Sequence, residues 1–373
     1  MPAAEEQLIS ELEDLVRAET PSDDRSALAA FAELFAAKAA EIDGARVELI
    51  PQTTAGDHIR VFWGDPAAER PVLLLGHYDT VWPVGTLARM PFRVDGDRVY
   101  GPGILDMKAG LLQGLRAIQA YRRRGGERPI VFLVTSDEET GSGSSRELIE
   151  TEARRCEFAL VLEPALDDGS LKTSRRGLMR YRITVTGRAS HSGLAPEAGV
   201  NAIEELCELL QCVTELADPR RGVDVNVGTI EGGTRFNVVA AHASAEVSFR
   251  MNGRADAERI AEALNELRPR REGATVELEG GSLWPPMERT EASDALARQA
   301  VSLAAELGFE LATGHAGGAS DGCHCAAVGA AVLDGLGGVG RGAHAEDEHV
   351  SIGELPRRIE LLSRLLENRQ AEA

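Results

Sequence analysis

The sequence predicts an α/β fold with a largely parallel sheet and an inserted, smaller α+β domain. The chain has 373 residues, which is too long for one ordinary hydrophobic core and suggests two domains. Short apolar runs alternate with helical patterns over roughly the first 160 residues, as in parallel α/β sheets. From about residue 180 strands with alternating polar and apolar residues appear instead. From about residue 293 the segments again resemble those of the first 160 residues. We therefore predict a discontinuous first domain over 1–174 and 285–373, and an inserted domain over 175–284.

The elements of the first domain are predicted from apolar periodicity. Near the start of the chain, apolar residues recur at helical spacing, and shorter continuous apolar runs then indicate buried strands. In chain order, the predicted elements are helices over 5–19 and 24–42, strands near 46–50, 57–63 and 71–76, a helix over about 106–124, a strand near 130–135, a helix over about 143–152, a strand near 158–162 and a helix over about 293–307. This alternation favours parallel pairing of the strands.

The inserted domain is predicted from a different pattern. From Arg180 to Thr186 polar and apolar residues alternate, so we expect a strand with one buried face. The elements that follow are a helix over about 197–217, strands at about 224–230 and 243–250, a helix over about 255–267 and a strand over 274–279. This βαββαβ order is compatible with a ferredoxin-like sandwich. Gly and Pro residues at 175–177 and 284–286 mark hinges at its two ends.

Composition excludes several classes of partner. The hydrophobic content of 43% and the charged content of 27% are typical of soluble globular proteins. The formal net charge of −20, from 40 basic and 60 acidic residues, argues against nucleic acid or an anionic membrane as a partner. The acidic N-terminal segment lacks the pattern of a signal peptide, and no run of 18 or more apolar residues is present. We therefore expect a cytoplasmic protein.

The cysteines do not indicate a disulfide framework or a thiolate metal site. The chain has 5 cysteines, an odd number at irregular spacing, which is consistent with reduced thiols. Cys323-His324-Cys325 resembles a metal motif, but it lies in a segment that is predicted to begin a helix. Positions i and i+2 of a helix point in different directions, so one chelate from this triplet is not expected. Ordinary helix packing is the preferred interpretation.

Two adjacent acidic residues are the most informative feature of the chain. Glu138 and Glu139 follow the apolar run 130–134 in the stretch TSDEETGSG. Neighbouring carboxylates at the end of a buried strand are costly in desolvation and mutual repulsion, which predicts a nearby cation. Adjacent residues on extended backbone point to opposite sides. One carboxylate can therefore bind a cation while the other acts as an acid or base.

Further candidate ligands follow other apolar runs. The segment GHYDTVWP contains His77 and Asp79, and GPGILDMKAG contains Asp106. Glu163 is followed by Pro164, and His344 lies in GVGRGAHAEDEHV. Ligands of α/β sheets bind beyond the carboxyl ends of the strands, which is where these residues fall. Imidazole and carboxylate ligands without thiolates indicate a catalytic zinc site. Two His, one Asp and two Glu exceed what one tetrahedral zinc uses, and they suit two metal ions bridged by a carboxylate and a water.

These motifs, together with SDEETGS, resemble in order those of the co-catalytic zinc hydrolases. That family includes carboxypeptidase G (glutamate carboxypeptidase), aminoacylase, acetylornithine deacetylase and succinyl-diaminopimelate desuccinylase. The resemblance runs from about residue 70 to the C-terminus, and the wording HYDTVWP is most similar to the carboxypeptidase G branch.

The resemblance implies a role for each of these residues. His77 and Glu163 would hold one zinc ion, Glu139 and His344 the other, and Asp106 would bridge the two. It also implies a cis peptide bond between Asp106 and Met107.

Two acidic residues would act beside these ligands. Glu138 would be the general base, and Asp79 would form a hydrogen bond to His77 that fixes the orientation of the imidazole. His349, five residues after His344, is the rival for the role of His344.

In the family that the chain resembles, the inserted domain dimerises and serves as a lid. The motif GRASHSG implies that His191 polarises the substrate carbonyl, often in the active site of the partner subunit. The segment FNVVAAHASAEVSFR implies that Asn237 and Arg250 bind the substrate. A guanidinium group suits this role because it can hold a free α-carboxylate through two hydrogen bonds. The glycine-rich motif GGASDG also matches the family, without an assigned role.

The expected activity is hydrolysis of an amide bond between an acyl or peptidyl group and an amino acid with a free α-carboxylate. Glutamate is the favoured leaving group, and the reaction would use a zinc-bridging hydroxide, with cobalt or manganese as possible substitutes. The substrate would be small and anionic, and the enzyme a homodimer. The chain departs from carboxypeptidase G where a lysine helps to recognise glutamate, because Ser170 falls near that place and Lys172 lies two residues later.

Two alternatives remain open at this stage. The first is an N-acyl amino acid deacylase or dipeptidase that uses the same metal ions. The second is a non-catalytic scaffold that holds metal ions. Such scaffolds usually lose the base or a ligand, whereas all of these residue types are present here.

Overall fold

The computed structural model describes residues 3–65 and 69–367 of the chain. Its helices are α1 (Ala3–Arg17), α2 (Arg25–Ala40), α3 (Ala109–Arg123), α4 (Arg146–Arg155), α5 (Ala202–Thr214), α6 (Arg254–Asn265), α7 (Glu291–Glu306), α8 (Gly322–Ala327) and α9 (Glu354–Glu367). Its strands are β1 (Arg46–Ile50), β2 (His58–Trp63), β3 (Val72–His77), β4 (Arg93–Asp95), β5 (Arg98–Tyr100), β6 (Ile130–Thr135), β7 (Phe158–Val161), β8 (Leu171–Arg175), β9 (Gly177–Thr186), β10 (Asp224–Gly232), β11 (His242–Met251), β12 (Thr275–Trp284), β13 (Thr313–Ala316), β14 (Ala331–Leu333), β15 (Gly340–Arg341) and β16 (His349–Ser351).

The chain divides into two compact units. The first comprises Met1–Ser174, Arg289–Ala316 and Ser320–Ala373, and the second comprises Arg175–Glu288 and Gly317–Ala319. The first division lies between Ser174 and Arg175, where the sequence also places a boundary. The second division falls after Glu288, four residues beyond the predicted end at 284, and the short segment Gly317–Ala319 also belongs to the second unit.

The first unit contains a six-stranded sheet in the order β1-β2-β6-β3-β7-β14. Strands β6, β3, β7 and β14 are parallel, whereas β2 runs antiparallel to both of its neighbours. The prediction of an α/β fold with a largely parallel sheet is therefore confirmed. Strands β3 and β6 are buried at every position, which explains why they appear as continuous apolar runs in the sequence.

Aromatic contacts join the sheet of the first unit to α2. Phe31 and Phe35 lie on the buried side of α2. The ring of Phe31 stacks on that of Tyr78 at 5.0 Å between centroids, and Phe35 meets Phe132 of β6 edge-on at 5.7 Å. Such pairs add to the free energy of burial. The contact of Phe31 with Tyr78 fixes the segment that directly follows β3.

The parallel arrangement brings the ends of three strands to one edge of the sheet. His77 is the last residue of β3 and pairs in register with Thr135, the last residue of β6. Glu138 follows three residues after β6, and Glu163 follows two residues after β7. These side chains therefore begin from neighbouring positions.

A second, smaller sheet of the first unit has the strand order β15-β16-β5-β4. Its register places His349 of β16 opposite Tyr100 of β5. This pairing aligns the loop between β15 and β16, which contains His344, with the chain that leads from β5 to Asp106. The sequence did not predict these strands, because segments of two or three residues are too short to show periodicity.

The second unit has the predicted βαββαβ order. Its antiparallel sheet has the order β10-β11-β9-β12, as in a ferredoxin-like sandwich. Along β9 the burial alternates, so that Tyr181, Ile183 and Val185 face the core while Arg180 and Arg182 are exposed. The buried face packs with apolar residues of α5 and α6.

Within the described ranges, no helix has the length and apolar character needed to cross a membrane. The triplet Cys323-His324-Cys325 lies on α8 and is buried. His324 is unusual because neither ring nitrogen has a hydrogen-bond partner among the described residues. Burial lowers the pKa of His324 to about 4. The fold therefore favours the neutral imidazole.

We predict that His324 makes stability dependent on pH. Below its ordinary pKa of 6.5, the unfolded chain takes up a proton that the folded chain accepts only near pH 4. The free energy of unfolding should therefore fall by about 3 kcal/mol as the pH decreases through this range. His324→Leu should remove this part of the pH dependence, measured by urea denaturation of chelator-treated protein.

The control for this prediction is His242→Gln, which changes an exposed imidazole of the second unit. Its curve of unfolding free energy against pH should have the wild-type shape. A wild-type pH dependence in His324→Leu would show that the buried imidazole does not contribute.

Candidate metal centre

His77 is positioned by the end of a central strand. It is the last residue of β3, and only 2% of its surface is exposed. Its Nε2 lies 3.1 Å from Oδ1 of Asp106 and 3.5 Å from Oε1 of Glu163. This nitrogen therefore meets two carboxylates at once, which is the arrangement of ligands around a cation.

Asp106 lies in an irregular turn, Ile104–Lys108, just before α3. The peptide bond between Asp106 and Met107 is cis, as the resemblance implied. While Oδ1 of Asp106 faces His77, Oδ2 lies 3.4 Å from Nε2 of His344. The two oxygens of one carboxylate thus face two different imidazoles.

His344 comes from the loop between β15 and β16. It has a left-handed backbone conformation, with φ of 62°, and its side chain is half-exposed. Its Nε2 also lies 3.2 Å from Oε1 of Glu139. His349, the rival position, lies in β16, where its Nδ1 contacts the main-chain oxygen of Asp347 at 2.8 Å. The geometry therefore brings His344, and not His349, to the carboxylates.

The five predicted ligands form two groups that share Asp106. One group is His77, Asp106 and Glu163, and the other is Asp106, Glu139 and His344. Within each group the ligand atoms lie within 4.8 Å of one another. Each group offers one imidazole nitrogen and two carboxylates, a donor set that fits a divalent metal ion such as zinc. The shared carboxylate suits a bridge between two ions.

Asp79 holds His77 and the two adjacent glutamates in place. The closest acceptor for Nδ1 of His77 is the main-chain oxygen of Asp79 at 3.0 Å, and Oδ1 of Asp79 lies at 3.4 Å. The Asp79 carboxylate also accepts hydrogen bonds from the main-chain N–H groups of Glu138 and Glu139, each at 3.2 Å. Ser22 donates a further hydrogen bond to it at 2.8 Å. Sequence reasoning missed Ser22, because nothing in its local pattern points to a partner 57 residues away.

The electrostatics of the cluster favour positive charge. Burial opposes protonation of His77, but hydrogen bonds to Asp106, Asp79 and Glu163 raise its pKa well above the ordinary value. Hydrogen bonds to Asp106 and Glu139 raise the pKa of His344 to about 10. The raised pKa values favour protonated imidazoles, which offset part of the charge of the carboxylates. Metal ions would take the place of these protons.

Comparison with known proteins identifies the family. The model of "Peptidase family M20/M25/M40" matches residues 73–368, which is most of the chain. The chain belongs to this family. Members are metal-dependent peptidases and deacylases, and the two ligand groups described above agree with their dinuclear site.

Two relatives illustrate the similarity. Carboxypeptidase G2 of Pseudomonas sp. (strain RS-16) is 33% identical over 303 residues, which cover 79% of this chain and 73% of the relative. Succinyl-diaminopimelate desuccinylase of Methylorubrum extorquens (strain PA1) is 31% identical over 327 residues, covering 80% of this chain and 82% of the relative.

Two solved structures share the fold at lower sequence identity. Aminopeptidase PepT from Bacillus cereus ATCC 10987 matches with a TM-score of 0.78 and 21% identity, covering 97% of this chain and 98% of that protein. The Bacillus subtilis YXEP protein, described as a dinuclear metal-binding peptidase of the M20 family, matches with a TM-score of 0.68 and 14% identity, covering 98% of each chain.

Glu138 precedes the candidate metal ligand Glu139 and lies in a short helical turn after β6. Burial raises its pKa well above the ordinary value, and the charges of Glu163, Asp321 and Glu139 act in the same direction, while His77 opposes them. These surroundings favour the protonated form of the carboxyl group more than water does. That property suits a group that accepts and then returns a proton.

Asp321, from the GGASDG motif, is a buried acidic residue near Glu138. Its carboxylate accepts hydrogen bonds from the hydroxyl groups of Thr135, at 2.9 Å, and Ser142. Burial raises the pKa of Asp321 to about 7. The sequence marked this motif without assigning a role. The hydrogen bonds connect it to the end of β6 and the loop after Glu138–Thr140.

The predicted substrate-contacting residues lie in the second unit. His191 is exposed, and its Nδ1 accepts hydrogen bonds from the main-chain N–H groups of Gly193 and Leu194, each at 3.2 Å. Its proton therefore lies on Nε2, which is a donor. The main-chain N–H of Ser192 donates a hydrogen bond to the main-chain oxygen of Asn237 at 3.2 Å, so the segments of His191 and Asn237 are adjacent.

Arg250 lies in β11 of the same unit. Burial and the neighbouring charge of Arg176 lower the pKa of the Arg250 guanidinium. Arg176 pairs with the carboxylate of Asp224 at 2.5 Å, and Asp224 lies opposite Arg250 in the register of β10 and β11.

We predict that metal binding releases protons. The raised pKa values of His77 and His344 favour protonated imidazoles in the metal-free chain, and that of His344, about 10, lies well above pH 7.5. Binding of zinc requires neutral imidazole, so two equivalents should release about two protons. Titration of chelator-treated protein in dilute buffer with a pH indicator measures the release. His344→Gln should release about one proton fewer, and uptake of zinc without proton release would contradict this electrostatic picture.

Proposed function

We propose that this M20 chain hydrolyses the amide bond between an acyl or peptidyl group and a C-terminal amino acid with a free carboxylate, with glutamate favoured. The observation that carries the proposal is the pair of ligand groups that share Asp106, with the partly buried carboxyl group of Glu138 beside them. Membership of a family of metal-dependent peptidases and deacylases supports the reaction type.

In this proposal His77 and Glu163 would hold one zinc ion, Glu139 and His344 would hold the other, and Asp106 would contribute an oxygen to each. Bound metal ions would lower the pKa of a water molecule towards neutrality and polarise the carbonyl group of the substrate. Cobalt or manganese could replace zinc, since their ligand preferences overlap. Asp79 keeps the imidazole of His77 oriented through its contacts with Nδ1.

Glu138 acts as the general base and then as the general acid. It accepts a proton from the water that attacks the carbonyl carbon, and it gives this proton to the amine nitrogen as the C–N bond breaks. The products are a carboxylic acid and an amino acid. The raised pKa of Glu138 supports this role, because the group can carry the proton between the two steps.

The second unit supplies the substrate contacts in this proposal. The N–H at Nε2 of His191 would donate to the oxygen that gains negative charge during attack. Asn237 and Arg250 would bind the substrate, with the guanidinium group on its α-carboxylate.

Homodimerisation through the second unit is also part of the proposal. Strand β10 lies at the edge of its sheet and is largely exposed. Ile230 in this strand and Phe236 after it are exposed large apolar side chains. An uncovered edge strand with apolar residues supports pairing with a second copy, since edges otherwise invite aggregation. A role as a lid and a cytoplasmic location stay predictions.

A deacylase acting on N-acyl amino acids is the second candidate. The succinyl-diaminopimelate desuccinylase of M. extorquens is almost as similar to the chain as carboxypeptidase G2, with 31% identity over 80% of the chain. Moreover, Ser170 and Lys172 are both buried, so neither offers an exposed contact for a glutamate side chain at that place. These observations favour testing short acyl groups beside peptidyl ones.

We expect Glu138→Gln to keep both metal ions and to lower kcat by about 100-fold or more, because the amide cannot accept the proton. Metal content is measured on the purified variant and kcat on any substrate that the wild type cleaves. Glu147→Gln, which alters an exposed carboxylate on α4, should match the wild type. Substantial kcat in Glu138→Gln with both ions bound would exclude Glu138 as the base.

A substrate panel tests the proposed specificity. We expect purified protein to contain two metal equivalents and to release glutamate from N-blocked glutamates and glutamyl dipeptides faster than other amino acids from matched substrates. Release is measured by amine detection across acetyl, succinyl, aromatic acyl and aminoacyl groups. Preference for succinyl or acetyl substrates, irrespective of glutamate, would favour the deacylase. Metal uptake without hydrolysis of any substrate would favour a scaffold.

A further inference from the structure

Glu348 is a buried acidic residue that the proposed mechanism does not use. It lies four residues after His344 in the first unit, and only 1% of its surface is exposed. A buried carboxylate is costly unless its oxygens are hydrogen-bonded. The local sequence, AEDEH, gives no sign that this glutamate differs from its acidic neighbours.

The carboxylate of Glu348 accepts four hydrogen bonds. Oε2 accepts from Nε1 of Trp82 and from the main-chain N–H of Gly103, both at 2.9 Å. Oε1 accepts from the main-chain N–H groups of Leu105, at 2.8 Å, and Asp106, at 3.1 Å. All four partners are donors, so the site matches an ionised carboxylate, which only accepts.

These hydrogen bonds join three segments that carry candidate metal ligands. Trp82 follows His77 by five residues, and the turn from Gly103 contains Asp106 itself. Glu348 belongs to the segment of His344. The main-chain N–H of Gly101 also donates a hydrogen bond to the main-chain oxygen of Glu348 at 3.3 Å. One carboxylate therefore links the chain near His77, the turn of Asp106 and the loop of His344.

We propose that Glu348 is a positioning residue for the candidate metal centre, fixing Asp106 relative to His344. The inference rests on the proposed metal-dependent function. The N–H of Asp106 donates directly to Glu348, so a shift of this carboxylate moves the residue that belongs to both ligand groups. Partners of metal ligands commonly change metal affinity by about 10-fold to 100-fold when they are altered.

The test compares Glu348→Gln with Glu346→Gln in the full-length chain. Gln at 348 offers one oxygen and one NH2 group, and the NH2 group would face two N–H donors. Glu346 lies in the same segment, is exposed and pairs with Arg89, so its variant makes the same change of charge outside the network. Chelator-treated proteins are titrated with Co(II), whose d–d absorption reports both affinity and coordination geometry.

We expect Glu348→Gln to bind both Co(II) equivalents about 10-fold to 100-fold more weakly, with an altered d–d spectrum, because Asp106 belongs to both groups. Glu346→Gln should match the wild type. A Glu348→Gln variant with a lower thermal unfolding temperature but wild-type Co(II) affinity and spectrum would overturn the inference and leave the proposed function standing. Failure of the wild type to bind two equivalents would overturn both.

Trp82→Phe keeps the test decisive if Glu348→Gln does not fold. This change removes one of the four donors and leaves the net charge unaltered. We expect a smaller weakening of Co(II) binding, roughly threefold to tenfold, because one hydrogen bond to the carboxylate is lost. Unchanged affinity and spectrum in a folded Trp82→Phe protein would overturn the positioning role.

Discussion

Mutual repulsion of closely spaced carboxylates is the constraint on which the candidate centre depends. Asp106, Glu138, Glu139 and Glu163 lie together near one edge of the sheet, and the imidazoles of His77 and His344 offset part of their charge. Like charges in a desolvated site are stable only when a cation or a proton compensates them. The shifted pKa values of the imidazoles are the protein's response to this excess of negative charge.

The fold meets this constraint by fixing main-chain positions from several directions. The parallel strands β3, β6 and β7 deliver His77, Glu138 and Glu163 to one edge. Two further carboxylates then hold the loops: Asp79 accepts the N–H groups of Glu138 and Glu139, and Glu348 accepts those of the Asp106 turn. Acidic residues thus serve both as candidate ligands and as anchors for the ligands.

Sequence patterns predicted the strands that end in candidate ligands, because each is a continuous apolar run of four to six residues. The same patterns missed β15 and β16, which have two and three residues and are stabilised by pairing with distant segments. His77, Glu139 and Glu163 were identifiable from residue type and position after apolar runs, whereas Asp106 and His344 were assigned through the motifs that resemble those of the family. The anchors were not, because Ser22 and Asp79 are 57 residues apart, and Glu348 and Gly103 are 245 apart.

The unequal burial of the two ligand groups has a kinetic consequence. His77 and Glu163 are buried, whereas the imidazole of His344 is half-exposed and comes from a surface loop. Solvent can reach the second group without rearrangement of the sheet, so an ion held there would exchange faster than one held beside β3. Two bound metal ions would therefore differ in their rates of exchange although their donor sets match. A chain with one ion, held by His77, Asp106 and Glu163, would form during both the uptake and the loss of metal.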